Sequence, residues 1–289
     1  MRCFLSFLFL LTLFGCEKAV DFKLEAVLPR LVVEATIETG LPPRVVLSRS
    51  LNYFSKITPE ILAESFVHGA VIKVSNGTSS HILKEYKIAL ARDYSLYYYS
   101  VDSSTLATAF VGELGKSYAM TLQHEAKEYK AVTTIPAQNK RIDSIWWKRR
   151  TGDTSEVSVL LKVTDPKGFG NYVRYFTRKN REPFLPGFTS VYDDLVIEGT
   201  TYELEVEPGV DRNGTLKGER NFLRGDTVML QISGIDKPTY DFWRTMEYTY
   251  ASVGNPFSSP IRVISNISNG ALGYFGGYAS QYRTIIIPR

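Results

Sequence analysis

The chain has 289 residues, 44% of them hydrophobic and 22% charged, a balance that buries a core and excludes an intrinsically disordered protein. With 34 basic and 30 acidic side chains the net charge is +4 and no long basic block occurs, which excludes the electrostatic footprint of a nucleic-acid binder. Two cysteines, Cys3 and Cys16, exclude a disulfide scaffold or a thiolate zinc centre, and the length suits two domains or one large β domain.

Met1-Arg2 is followed by an apolar run from Cys3 to Phe14, then Gly15-Cys16, and charge begins at once with Glu17 and Lys18. A positive start, a short apolar segment and a small residue at the boundary make a signal peptide. The run falls well short of the roughly 20 apolar residues that span a bilayer as a helix. Leu13-Phe14-Gly15-Cys16 resembles the lipobox of bacterial lipoproteins, although Phe14 departs from the small or β-branched residue usual there. The resemblance implies that the Cys16 thiol is acylated and becomes the first mature residue; the alternative is an ordinary buried cysteine beside a secretory signal. Residues 1–15 are then signal and 16–29 a lipidated tether, and loss of Arg2 leaves 33 minus 30, or +3. One acyl chain anchors marginally and two or more anchor stably, so a lipid at Cys16 makes a polybasic membrane patch unnecessary.

From Arg30 the dominant pattern is period-two alternation in short runs rich in Val, Ile, Tyr and Thr, which predicts half-buried strands. Strands are expected at Leu31 to Ile37, Arg44 to Ser48, Ala70 to Val74, Leu96 to Val101, Tyr118 to Gln123 and Tyr129 to Thr134. Asn76-Gly77 suits a type I′ hairpin turn, whose two central residues need positive φ. Thr58-Pro59 predicts one or two helical turns, with Thr as the cap and Pro in the first turn. Seven or so strands across residues 30–137 suggest an immunoglobulin-like β-sandwich without its Cys-Trp-Cys core.

A polar link after Pro136 marks a boundary, and residues 138–289 read as a second antiparallel β domain carrying one helix. Its strands are expected at Ile142 to Lys148, Val157 to Val163, Tyr172 to Arg178, Val191 to Glu198, Tyr202 to Val206 and Thr227 to Ser233. Asp236 and Pro238 open a helix near 238–251, whose Tyr240, Trp243, Glu247 and Tyr250 share one face. The tail from Asn266 is rich in glycine and aromatic residues and ends in the strand-like Thr284 to Ile287.

Several separated pieces resemble a group of lipoproteins widespread in Bacteroidota and catalogued as a domain of unknown function. They include Leu31-Val32-Val33-Glu34-Ala35-Thr36-Ile37, Gly69-Ala70-Val71-Ile72-Lys73-Val74, Tyr129 to Pro136, Asp165-Pro166-Lys167-Gly168, Gly225-Asp226-Thr227-Val228 and Asn255-Pro256-Phe257. Their order and spacing cover nearly all of residues 30–289. The resemblance implies an envelope lipoprotein, often encoded beside a TonB-dependent outer-membrane receptor, with no established reaction and no catalytic residue to carry over.

The residues themselves offer little chemistry. His124-Glu125-Ala126-Lys127-Glu128 begins like the zinc-protease motif H-E-x-x-H, but Glu occupies the second histidine's place. It lies between two alternating runs and is better explained as a hairpin turn. His68 and His81 are the other two histidines, too few and scattered for a metal centre. Asp211-Arg212-Asn213-Gly214 starts like a calcium loop, with Asp193 and Asp194 as conceivable ligands, but Phe222 stands where an EF-hand needs its final Glu. Gly168-Phe169-Gly170 opens no helix, so it reads as a hairpin turn and not a nucleotide fingerprint. No P-loop or G-x-S-x-G elbow occurs, and no cofactor is implied.

Aromatic residues remain. Tyr97-Tyr98-Tyr99 and Trp146-Trp147 put neighbouring rings on opposite faces of a strand, so one ring of each set must leave one face for the other. Tyr98, Trp146 and Trp147, with Tyr274, Phe275 and Tyr278 of the tail, are the candidate ligand-binding residues, against core packing as the alternative. The expected function is non-enzymatic: an outer-membrane lipoprotein that binds another envelope component, with a TonB-dependent receptor as the partner the resemblance implies. A surface protein capturing a glycan, peptide or chelate is the alternative, and a hydrolase with a spatially assembled site the third reading.

Overall fold

A computed structural model describes residues 28–51, 57–91, 94–137, 140–152, 155–212, 221–255, 257–259 and 261–289. Cys16, the signal segment and most of the tether lie outside the described residues. The first half contains β1 (Leu31–Glu38), β2 (Arg44–Arg49), α1 (Pro59–Ser65), β3 (Val71–Ser75), β4 (Ser80–Ala91), β5 (Tyr94–Val101), β6 (Ser117–His124) and β7 (Lys127–Thr134). It is followed by β8 (Arg141–Arg149), β9 (Glu156–Thr164), β10 (Tyr172–Lys179), β11 (Leu185–Tyr192), β12 (Thr201–Val206) and β13 (Phe222–Leu223). The chain then forms β14 (Thr227–Ile235), α2 (Lys237–Ser252) and β15 (Leu272–Ile286).

The protein is mostly β, as its alternation predicts. In β1, Leu31, Val33, Ala35 and Ile37 are buried while the residues between them are less so, the signature of one core face. Both helices start where the capping residues predict. Thr58 accepts the Ile61 N–H with Pro59 in the first turn of α1, and Asp236 accepts the Thr239 N–H at α2.

Eleven strands form one sheet in the order β11-β10-β14-β15-β1-β2-β5-β4-β3-β6-β7, and β12, β9, β13 and β8 form a second. The pivotal pairing is parallel, between β1 and β15, with β14 antiparallel on the other edge of β15. The large sheet therefore draws strands from both sides of residue 137, where the sequence suggests a boundary. Pairing alone does not isolate residues 30–137 as a closed unit.

Three buried clusters follow. Val33, Ala35 and Leu47 pack with Ile72, Met120 and Leu122, and Phe275 and Ala279 of β15 join them. Val157, Val159 and Leu161 of β9 pack on Val228 and Leu230 of β14. A third cluster lays Tyr240 and Phe242 of α2, with the partly buried Trp243, on Ile235, Tyr274 and Tyr278 of the large sheet, whereas Tyr250 of the expected face stays exposed.

Four local expectations need correction. The strand expected at Val191 to Glu198 is β11, Leu185–Tyr192, and the chain turns after it, with Ile197 N–H on the Asp194 carbonyl at 3.1 Å. Gly168-Phe169-Gly170 is no hairpin turn: it carries the chain from β9 in the small sheet to β10 in the large one. Asn76 and Gly77 do turn a hairpin, but in a longer loop. The Asn76 side-chain oxygen accepts the Thr78 and Ser79 N–H groups at 3.1 and 2.8 Å, and Gly77 is the position with left-handed φ. The strand expected only at Thr284 to Ile287 of the tail is far longer, the 15-residue β15 from Leu272 to Ile286. The turn at His124 to Lys127 is as expected, with Glu125 and Ala126 both left-handed at φ 48° and 59°.

Candidate functional site

The face of the large sheet opposite the first core carries a cleft of about 450 Å³. Its floor follows from strand register. Glu34 pairs with Tyr274 on β15 and Val46 on β2, and Thr36 pairs with Arg44, and paired residues share a face. Glu34, Thr36, Arg44, Val46 and Ser48 thus point away from Val33 and Ala35 into the cleft. Leu62 and Ser65 of α1 and the adjoining Phe66 form one wall, and Tyr274 the other.

Charge sits on this floor under tension. Glu34 reaches water from the cleft, yet protein surrounds it on most sides, and that burial pushes its carboxyl above the ordinary range against the pull of Arg44 and Arg174. The Arg44 guanidinium lies 5.1 Å from the Tyr98 ring centroid, and Tyr98 stacks on Tyr86 at 5.5 Å.

The Tyr274 wall is held from behind by α2. Tyr274 stacks on Phe242 at 4.7 Å and meets the edge of Trp243 at 5.0 Å, while Trp243 Nε1 donates to the Tyr278 hydroxyl at 3.2 Å. Burial holds the Tyr274 phenol well above its ordinary pKa, so it stays neutral. The buried Arg174 guanidinium lies 3.3 Å from the Trp243 ring centroid, and its Nε donates to Ser190 Oγ at 3.2 Å. Ser190 in turn donates its N–H and hydroxyl to the buried Glu247 of α2. This chain of partners locks the helix to β10 and β11, so the wall is rigid before any ligand arrives.

Of the aromatic candidates, the structure brings Tyr98, Tyr274 and Tyr278 into or behind this one region. Tyr98 is half-buried beside the cleft, on the face opposite the buried Tyr99, as the strand period requires. Tyr278 is buried behind Tyr274, and Phe275 points the other way into the first core with no exposed surface. Trp146 and Trp147 lie elsewhere, on β8 of the small sheet; Trp147 packs toward the second core. Asp194 serves structure, accepting the Gly170 and Asn171 N–H groups at 3.1 and 2.9 Å, and Asp193 accepts the Tyr240 hydroxyl at 2.9 Å. Asn213 and Gly214 lie outside the described residues. Among the described residues no three His, Cys, Asp or Glu side chains gather as metal ligands, and no helix is long and apolar enough to cross a membrane.

Glu34, Arg44 and Arg174 escape a reading by motif. Glu34 and Arg44 are exposed positions in alternating strands, the commonest place for a solvated charge, while Arg174 is buried beside Val173 in β10, and only the folded register brings the three together.

An eleven-stranded and a four-stranded sheet, with a cleft on the large sheet backed by the aromatic residues of α2, define a mostly β scaffold. Within that class the chain belongs to the family described as domain of unknown function DUF4249, whose pattern matches residues 17–284. Comparison with curated proteins gives no match.

Proposed function

We propose that this protein is a lipid-anchored, non-enzymatic binding protein of a Bacteroidota outer membrane, acting as an accessory to a TonB-dependent receptor through the Glu34–Arg44 cleft. The observation that carries the reading is the cleft itself: an open, charged concavity on a rigid sheet, with one wall, Tyr274, fixed by the aromatic residues of α2. Such a surface suits a polar protein segment, because Arg44 and Glu34 supply complementary charge and Tyr98 supplies a flat amphipathic face. The family match begins at residue 17, directly after Cys16, which agrees with a mature chain starting at the acylated cysteine.

Two measurements test it. Mass spectrometry of the mature N-terminal peptide should find acyl groups on Cys16, and an unmodified Cys16 peptide would overturn the anchor. Affinity purification from detergent-solubilised native membranes should recover a stoichiometric outer-membrane protein, and Arg44→Glu should lose it while keeping the fold. Repeated recovery of the chain alone would overturn the partner.

A further inference from the structure

The two sheets do not close on one another everywhere. Between β9 and β12 of the small sheet and β10 and β14 of the large one lies a second cavity of about 400 Å³. Protein interiors pack as densely as organic crystals and hold few voids larger than a water molecule, so a space this size is not ordinary packing slack. Its volume falls within the range of small-molecule sites, and such sites are largely apolar with a few polar groups placed among them. Leu161 and Val163 line one side and Leu230 and Ile232 the other, with the Tyr175 and Tyr202 rings between.

The mouth is preformed. The turn carrying Val196 and Ile197 is pinned at both ends, by Asp194 to the Gly170 and Asn171 N–H groups and by the Gly199 N–H to Asp165 at 3.0 Å. Asp165 also holds Lys140 in an ion pair that is almost wholly buried. On this fixed turn Leu195 and Val196 are 71% and 94% exposed. Apolar residues held out at the rim of an apolar cavity bury surface only when something enters.

Charge selects what enters. Lys140 is the one cation lining the cavity among the described residues, and Asp165 neutralises it. Asp193, Glu205 and Glu207 line the same space, and Arg150 lies 2.6 Å from Glu205. Glu207 acts on the Tyr175 and Tyr192 phenols, adding to the burial that raises both. Carboxylates beside tyrosine faces favour an ammonium group and repel an anion.

We infer that the space between the two sheets is a binding site for an apolar ligand with a cationic amino or ammonium end, the chain buried against Leu161, Val163 and Leu230 and the charge held at Glu207 and Tyr192. The test uses the full chain in lipid nanodiscs and a photoactivatable dodecylamine, with the matching dodecanoate as comparison, and cross-links mapped by peptide mass spectrometry. The amine should label peptides containing Tyr175 and Tyr202 saturably, at least 10-fold more than the carboxylate, an energy difference of about 1.4 kcal/mol. Leu230→Trp, which fills the cavity, should abolish that labelling in protein whose circular dichroism melting is retained. Glu207→Gln, at an exposed position, should reduce the preference for the amine several-fold even if Leu230→Trp unfolds the chain. Labelling that does not saturate, that persists in the filled cavity, or that is equal for amine and carboxylate would overturn the inference.

Discussion

Asp236 uses both carboxylate oxygens inside the fold. One accepts the Thr239 N–H at 3.1 Å and caps α2; the other accepts the Thr133 hydroxyl and the Thr134 N–H of β7, each at 2.9 Å. A single side chain thus starts the helix and ties it to a strand a hundred residues earlier. Asp236→Ala removes the cap and leaves polar groups of β7 unpaired, so the unfolding free energy should fall by roughly 2–4 kcal/mol. The midpoint of urea unfolding reads this directly, and a loss below about 1 kcal/mol would show that water replaces the carboxylate at no cost. Glu34 makes the opposite prediction. Its folded pKa is raised by burial, so the native state holds the proton more tightly than the unfolded chain does. Stability therefore falls as pH rises from the ordinary carboxyl range through the folded pKa. Glu34→Gln should be more stable than the parent at pH 7 and equal to it below about pH 4, where both carry a neutral side chain. A stability difference that does not change between those pH values would show that the charge on Glu34 is not what the cleft strains against.

At the scale of elements, β15 decides how much was legible. Strands with one buried face, such as β1, announce themselves by alternation, and both helices by their caps. β15 does not, because it runs through the middle of the large sheet with residues buried on both faces, which removes the alternation. Its glycines look like loop signals but answer to crowding. A Cβ at Gly277 would lie 2.8 Å from the Thr134 backbone, and one at Gly273 would lie 1.9 Å from the Val33 carbonyl oxygen. The same limit hides the cleft: aromatic residues are visible as a class, whereas Glu34 and Arg44 become a site only once β1 and β2 are paired in register. Gly273 supplies the test of this pairing, since its φ is also +97°. Gly273→Ala combines backbone strain with a backbone clash and should cost roughly 2–6 kcal/mol. Gly77→Ala, with a similar φ but open space around it, should cost only about 1–2 kcal/mol. Thermal melts of the two variants separate the terms, and equal losses would mean that β1 moves aside to admit the methyl group.

For the whole molecule, the position of β15 makes the last residues of the chain a condition for folding the first. It supplies Phe275 and Ala279 to the first core, Ile285 to the rim of the second and Tyr274 and Tyr278 to the third. Without it, β1 and β14 become open edges with unpaired N–H and C=O groups, templates for aggregation. The contacts it makes with β1 span most of the sequence, so the loop-closure entropy is met late in folding. A chain ending at residue 270 should therefore lose cooperative unfolding and near-ultraviolet circular dichroism in both halves, and residues 30–137 alone should not fold. If those residues instead melt cooperatively by themselves, the sheet is two units that merely abut at β1 and β15, and the boundary read near residue 137 is an independent folding boundary. The complementary result is a synthetic peptide of residues 271–289 restoring the truncated chain in trans, since an added strand can regain its ladder from both edges at once. That rescue should fail with Gly273→Ala in the peptide, because only a strand that fits against Val33 can close the gap.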